Sequence, residues 1–252
     1  MREEAVEVRR FALQAAKELK SYSPAGKVVG IGADGTPTMD VDKMVEDMIV
    51  EESSKFKFNL LSEELGYLDR GSDWTIIADP IDGTRNLLRG IPFYCISLAL
   101  SHASDLNLNG VVYGIVLDLK LGELFEALKG GGAFLNGKPM STLSFERNLL
   151  SISTKEVGDE LKSKLMNWNV RVLGAAALET CYVANGRLDL YYNDGKGVRI
   201  TDIAASSLIL RENGGEVYDL ERKKRLTMGS SLAERAKVLA IKRGEEISRW
   251  LS

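Results

Sequence analysis

Asp79-Pro80-Ile81-Asp82-Gly83-Thr84 follows the short apolar run Trp74 to Ala78, and this junction decides how the chain is read. The run predicts a buried strand that ends at Asp79-Pro80. Beyond it Pro80 fixes one dihedral of a sharp turn. Two carboxylates three residues apart across such a turn, Asp79 and Asp82, can share one small volume. Like charges that close are costly unless a cation neutralises them. Gly83 lets a ligand approach the backbone, and the Gly83 and Thr84 amides, opening a short helix, offer a seat for a phosphate. The plain alternative is an Asp-Pro turn followed by an Asp-Gly turn whose acids merely cap.

Outward from this string the chain is a succession of short elements. Val8, Phe11, Ala12, Ala15, Ala16 and Leu19 fall three and four apart and form one apolar stripe of a first helix. A Gly-, Pro- and Thr-rich loop follows from Ser21 to Asp40, then a helix with Asp42 as its N-cap. Phe56 to Leu61 predicts a strand that ends at Ser62-Glu63-Glu64, which would set Glu63 near Asp79. Strands are expected at Tyr94 to Ala103, Leu108 to Leu117 and Glu123 to Leu128, then a hairpin between Gly130 and Gly137. The second half alternates: strands at Leu149 to Ser153, Val170 to Leu173, Leu188 to Tyr192, Glu216 and Val238, with helices near Asp159 to Met166, Ala175 to Ala184 and Asp202 to Glu212. An antiparallel half followed by an alternating half predicts an α+β protein of two sheets layered with helices. It forms one unit, or two intimately packed lobes, 1–140 and 141–252, with a ligand cleft between them.

The inventory of residues narrows the chemistry. Thirty-three Lys+Arg against 36 Asp+Glu give a net charge of −3, which is no footprint for nucleic acid. No apolar run approaches the ~20 residues of a membrane span. The stretch Met1 to Lys20 carries Glu3, Glu4, Glu7 and Glu18 among its bases and lacks a continuous apolar run, so it does not read as a targeting segment. Two cysteines, Cys95 and Cys181, each within an apolar segment, suit a reducing cytoplasm better than a disulfide framework. One histidine, His102, in a strand-like run, leaves no His/Cys set for zinc or iron. A bound metal would therefore have oxygen ligands, as Mg²⁺ does.

Asp79 to Thr84, with Asn86 two residues beyond, resembles the inositol monophosphatase family, including archaeal members that also act as fructose-1,6-bisphosphatases. Three further matches keep the family's order: Ser62-Glu63-Glu64-Leu65-Gly66; Gly174-Ala175-Ala176 with Cys181-Tyr182-Val183-Ala184; and Asp202-Ile203-Ala204-Ala205 running to Gly214-Gly215. The resemblance implies an α-β-α-β-α sandwich and a homodimer. It implies a phosphomonoesterase that uses two or three Mg²⁺ ions to attack inositol monophosphate or fructose 1,6-bisphosphate with water. By matching position Glu63, Asp79, Asp82, Asp202 and the Ile81 carbonyl would be metal ligands. Thr84, oriented by Asp42, and Glu63 would be catalytic. Asp82, Gly83, Thr84, Ala175 and Ala176 would meet the substrate. The loop Asp34 to Thr38 resembles the mobile loop of the archaeal members, where Asp34 or Asp40 would touch a further metal or lie in a solvated turn.

After Tyr191-Tyr192 the chain departs from the inositol-specific pattern: Asn193 stands where many members carry an acid, and the stretch to Asp202 contains Lys196 and Arg199. Either base could meet a second phosphate, or both could belong to a solvated loop. Arg85 and Lys155 are further candidates for substrate contact. Three rivals remain: a phosphatase for 3′-phosphoadenosine nucleotides within the same family, a metal-binding protein without chemistry, and a dinucleotide-binding oxidoreductase. The last rests on Gly30-Ile31-Gly32-Ala33-Asp34-Gly35, which fits G-x-G-x-x-G but has a helix before it and Pro37 close after.

Overall fold

The computed structural model describes residues 3–22, 25–145, 148–242 and 248–251. In chain order the first half contains α1 (Glu3–Leu19), β1 (Val28–Ile31), β2 (Pro37–Met39), α2 (Asp40–Lys55), β3 (Asn59–Ser62), β4 (Gly66–Leu68), β5 (Trp74–Asp82) and α3 (Thr84–Leu88). Strands β6 (Cys95–His102), β7 (Val111–Asp118), β8 (Leu124–Leu128), β9 (Gly132–Leu135) and β10 (Lys138–Pro139) follow. The second half contains β11 (Leu149–Ser153), α4 (Asp159–Leu165), β12 (Asn169–Arg171), α5 (Ala176–Ala184), β13 (Leu190–Val198), α6 (Ile200–Glu212), β14 (Glu216–Asp219), β15 (Lys224–Arg225), β16 (Ala236–Ile241) and α7 (Ser248–Leu251).

Period-two burial explains the layering. In β5, Ile76 and Ala78 pack with Val8, Phe11, Val45 and Ile49 of α1 and α2, while Ile77 between them packs with residues of α5 and α6. The eight-stranded sheet, ordered β10-β9-β8-β7-β6-β5-β3-β4, is therefore apolar on both faces. Helices α5 and α6 lie between it and the six-stranded sheet β12-β11-β13-β16-β14-β15, since Leu178 and Ile203 share a core with both Val116 and Val238. The far face of the second sheet is covered by Leu161 of α4 and Trp250 of α7. The five layers run α-β-α-β-α. Helix α6 approaches β7 so closely that a Cβ on Gly114 would lie 2.7 Å from the Ala205 carbonyl, so only glycine fits there.

Several sequence expectations shift. Helix α6, expected to be capped by Asp202, begins at Ile200 and holds Asp202 in its first turn, and β3 begins at Asn59 rather than Phe56. The loop Ser21 to Asp40 contains the antiparallel hairpin β1-β2. Helix α2 begins at Asp40, so Asp42 lies inside its first turn rather than at the N-cap. Strand β13 continues to Val198, past the expected Tyr192. Strand β5 does not end at Ala78 but runs on to Asp82, and this matters most for the site.

Candidate active site

Residues three apart on a regular strand face opposite ways, so a straight β5 would separate Asp79 from Asp82. The pairing with β6 shows how they come together. Asp79 lies opposite Ser97 and Asp82 opposite Cys95, so β5 spends three steps where β6 spends two. The extra residue is a β-bulge at Pro80-Ile81, where proline's missing N–H costs no ladder bond. The bulge returns Asp82 to the face of Asp79. Gly83 then turns the chain at φ +91°, where a Cβ would lie 3.0 Å from the Phe93 carbonyl and 3.2 Å from the Ala175 Cβ.

Three further elements bring their acids to this point. Strand β3 runs parallel to β5 with Ser62 paired to Ala78, which sets Glu63 beside Asp79. Glu46 of α2 holds the exit of β3 by accepting the Leu65 N–H at 2.9 Å and the Ser62 hydroxyl. Asp202 occupies the first turn of α6 and accepts the Arg199 N–H at 2.8 Å. Asp82 accepts the Ala177 N–H at 2.7 Å, which ties α5 to the bulge. Burial, followed by the charges of neighbouring acids, pushes Glu63, Asp79 and Asp82 well above the usual carboxylate range. Burial raises Asp202 too, against the opposing pull of Arg199.

Asp79 supplies the test of whether a cation fits. It is 3% exposed, and its Oδ1 has no hydrogen-bond partner among the described residues. An orphaned, buried carboxylate oxygen among mutually repelling acids suits a hard cation with oxygen ligands. The donors fit in kind but are not drawn in: among the described residues no three acidic, histidine or cysteine groups close on one point. One of the donors, Glu63, is engaged by Arg199 instead. Its Nη1 donates to Glu63 Oε2 at 3.1 Å and its Nη2 contacts Asp34.

Thr84 connects the bulge to α2. Its Oγ1 lies 2.9 Å from both Asp42 Oδ1 and the Ile81 carbonyl. One hydroxyl has one proton, so both contacts are hydrogen bonds only when Asp42 itself carries a proton. Burial pushes Asp42 up to about 7, with the Thr84 hydrogen bond opposing, so a proton there is held near neutrality.

Asp42, Glu63, Gly83 and Thr84 open onto a cleft of about 660 Å³ that Glu64, Arg85 and Arg89 also line, with Val28, Pro37, Met39 and Leu88 as an apolar wall, while Asp79, Ile81, Asp82 and Asp202 lie outside that lining. Of the expected substrate contacts, Arg85 lines the cleft; Lys155 and Lys196 are exposed outside that lining, and Arg199 is buried against acids. Ala175 is buried beneath Gly83, and the neighbouring Gly174 lines the cleft in its place. Asp40 is occupied by the Ala25 N–H at 2.7 Å and the Tyr22 hydroxyl at 3.1 Å, and so braces a loop. Sequence reasoning missed Arg89 and Glu46. Each stands four residues after a residue it did single out, Arg85 and Asp42, and that helical spacing was the available signal. His102 stacks on Trp74 with ring centroids 4.2 Å apart, a packing role. The G-x-G-x-x-G string forms the β1-β2 hairpin turn, closed by Gly32 N–H to Thr36 O at 2.8 Å, and no helix opens from it. That removes the dinucleotide-binding reading.

The family model for the inositol monophosphatase family matches residues 2–248. The chain belongs to that family. A fructose-1,6-bisphosphatase/inositol-1-monophosphatase of Thermococcus kodakarensis is 36% identical over 92% of this chain and 91% of its own length. A bifunctional NADP phosphatase/NAD kinase of Methanocaldococcus jannaschii is 33% identical over 88% of this chain but 45% of its own length. A crystal structure of an inositol monophosphatase–fructose 1,6-bisphosphatase superposes with a TM-score of 0.87 at 30% identity, covering 100% of this chain and 99% of that one. The family's layered sandwich is the fold observed here.

Proposed function

We propose that this family member is a phosphoric monoester hydrolase that removes phosphate from a small phosphorylated sugar or cyclitol, inositol monophosphate and fructose 1,6-bisphosphate among them, with Mg²⁺ as cofactor. The observation that carries the reading is the bulge that turns Asp79 and Asp82 to one face and leaves Asp79 Oδ1 buried without a partner. Glu63, Asp79, Asp82, Asp202 and the Ile81 carbonyl would hold two or three cations. When bound, these cations acidify water and neutralise the charge that develops on the phosphoryl group.

The side chains supply the remainder. Gly83, where a Cβ would crowd the Phe93 carbonyl at 3.0 Å, would let its own amide and that of Thr84 meet phosphate oxygens. The Thr84 hydroxyl, held by Asp42, orients the attacking water in line with the scissile P–O bond. Asp42, pushed by burial up to about 7, and Glu63 would accept its proton. Arg85 and Arg89, four residues apart and without an ion-pair partner among the described residues, give the cleft a positive rim for a second phosphate. The buried free thiols Cys95 and Cys181 suit a reducing cytoplasm. A homodimer is the form expected from the family resemblance.

A second reading, a nucleotide phosphatase, has one observation in its favour: the cleft's apolar wall of Val28, Pro37, Met39 and Leu88 could take a base. Phosphate release from inositol 1-phosphate, fructose 1,6-bisphosphate, 3′,5′-adenosine bisphosphate and NADP, with Mg²⁺ and with chelator, separates the two. Preferred turnover of the sugar and cyclitol esters, abolished by chelator, is expected. Turnover that survives chelation would refute the metal chemistry.

A further inference from the structure

Arg199 is the residue whose position departs most from its sequence reading. It is 5% exposed, and its guanidinium reaches Glu63 and the fully buried carboxylate of Asp34. Asp34 itself is set by the hairpin turn: its N–H donates to the Glu63 carbonyl at 3.0 Å, and its Oδ1 accepts the Thr36 N–H at 2.7 Å. The hairpin tip and the exit of β3 are thus joined by backbone bonds, and Arg199 bridges the two acids they present. The grip is incomplete. Nε and Nη2 make no directed hydrogen bond among the described residues, so Arg199 provides charge without the bidentate fork that arginine forms with a committed partner.

Two facts about the acids complete the argument. The exit of β3, the bulge of β5 and the first turn of α6 bring Glu63, Asp79, Asp82 and Asp202 together, and Asp79 Oδ1 is buried without a partner among the described residues, so together they need positive charge. Yet no three acidic groups among the described residues close on one point while Arg199 occupies Glu63. Resting on the Mg²⁺ reading above, we infer that Arg199 is a positioning residue that serves as the site's internal cation: its guanidinium and a divalent cation exclude each other at Glu63. Metal uptake then requires Arg199 to leave Glu63, and loss of metal returns it, so the acids never face one another without positive charge. Arginine suits this exchange because it is always charged and weakly hydrated. A buried ion pair of this kind costs desolvation, so giving it up to a better cation is feasible.

Calorimetric titration of Mg²⁺ into chelator-stripped wild type, Arg199→Met and Arg199→Lys tests the exchange. Both variants should bind Mg²⁺ more tightly, Met by about tenfold and Lys by about threefold, because neither bridges Glu63 and Asp34. In chelator Arg199→Met should melt below wild type, and saturating Mg²⁺ should close that gap by linkage. A purely structural arginine would leave the gap unchanged. A Lys variant that binds like wild type would show that only net charge matters and overturn the inference. Weaker binding in both variants would make Arg199 a helper of the metal and overturn it as well. A wild type that takes up no divalent cation would instead refute the Mg²⁺ reading beneath it, which separates the two failures.

Discussion

The first turns of α2 and α6 are built alike and put to different use. In each, an aspartate at the third helical position accepts the N–H of the residue before the helix: Asp42 from Met39 at 3.3 Å, Asp202 from Arg199 at 2.8 Å. Both carboxylates thereby satisfy an orphan donor of their helix, and each keeps one oxygen for other work. For Asp42 that oxygen meets the Thr84 hydroxyl. For Asp202 it has only the Thr201 hydroxyl at 3.5 Å among the described residues, and the charge of Asp202 is felt by Glu63, Asp79 and Asp82. On the proposed function, one local device would serve proton handling at one helix and charge at the other. The neighbours brought by the fold make the difference.

The largest effect should come from breaking the α6 end. Asp202→Asn can still cap its helix but offers no charge to a cation. Mg²⁺-dependent kcat/KM should fall about a thousandfold, ~4 kcal/mol of transition-state stabilisation. The melting temperature in chelator should hold or rise, because one repelling charge is gone. A variant that loses stability and activity together would show that the cap, not the charge, is what matters.

Glu179 isolates burial from either role. It lies in α5, accepts the Ser151 hydroxyl, and is pushed by burial up to about 7 from an ordinary 4.5, with Ser151 and local amides opposing. Between those two values the native protein keeps a proton that the unfolded chain has released. Its stabilising contribution is therefore present below pH 4.5 and lost as pH rises through about 7. Glu179→Gln stays neutral throughout, so denaturant melts in chelator should show it gaining on wild type across that window, by roughly 3 kcal/mol at most. A constant difference between the two would contradict the raised value.

Asp42→Asn tests the α2 end. The variant should keep Mg²⁺ affinity within about twofold while kcat falls about a hundredfold, the usual worth of a positioned proton acceptor. The rise of kcat/KM with pH that follows Asp42 losing its proton should vanish from the profile. Loss of metal affinity matching that of Asp202→Asn would erase the contrast between the two helices.

The smallest effect concerns the cleft's rim. Arg85→Ala and Arg89→Ala should each raise KM for fructose 1,6-bisphosphate by about tenfold, the loss of one charged phosphate contact. KM for inositol 1-phosphate should barely change. Equal losses on both substrates would place the arginines on the scissile phosphate instead.

Much of the architecture was legible along the chain, for different reasons in different places. Strand β11 is found at Leu149–Ser153, where it was expected, because its apolar residues sit between clear polar breaks. Helix α1 follows its stripe from Val8 to Leu19. The hairpin β1-β2 was hidden because its strand β1 is exposed along its whole length and shows no alternation. Arg199 was misplaced for a related cause. A basic residue near two glycines suggests a loop, and nothing local reveals that Asp34, 165 positions earlier, lies across from it.

The sequence by itself determined the identity of the donors. Carboxylates at element ends, one histidine and two buried thiols leave oxygen as the ligand atom for any metal, and Gly83 marks where the backbone must turn left-handed. Only the tertiary structure decided which way the donors point. A single extra residue in β5 brings Asp79 and Asp82 to one face, and a strand cannot show its bulge until a partner strand sets the register.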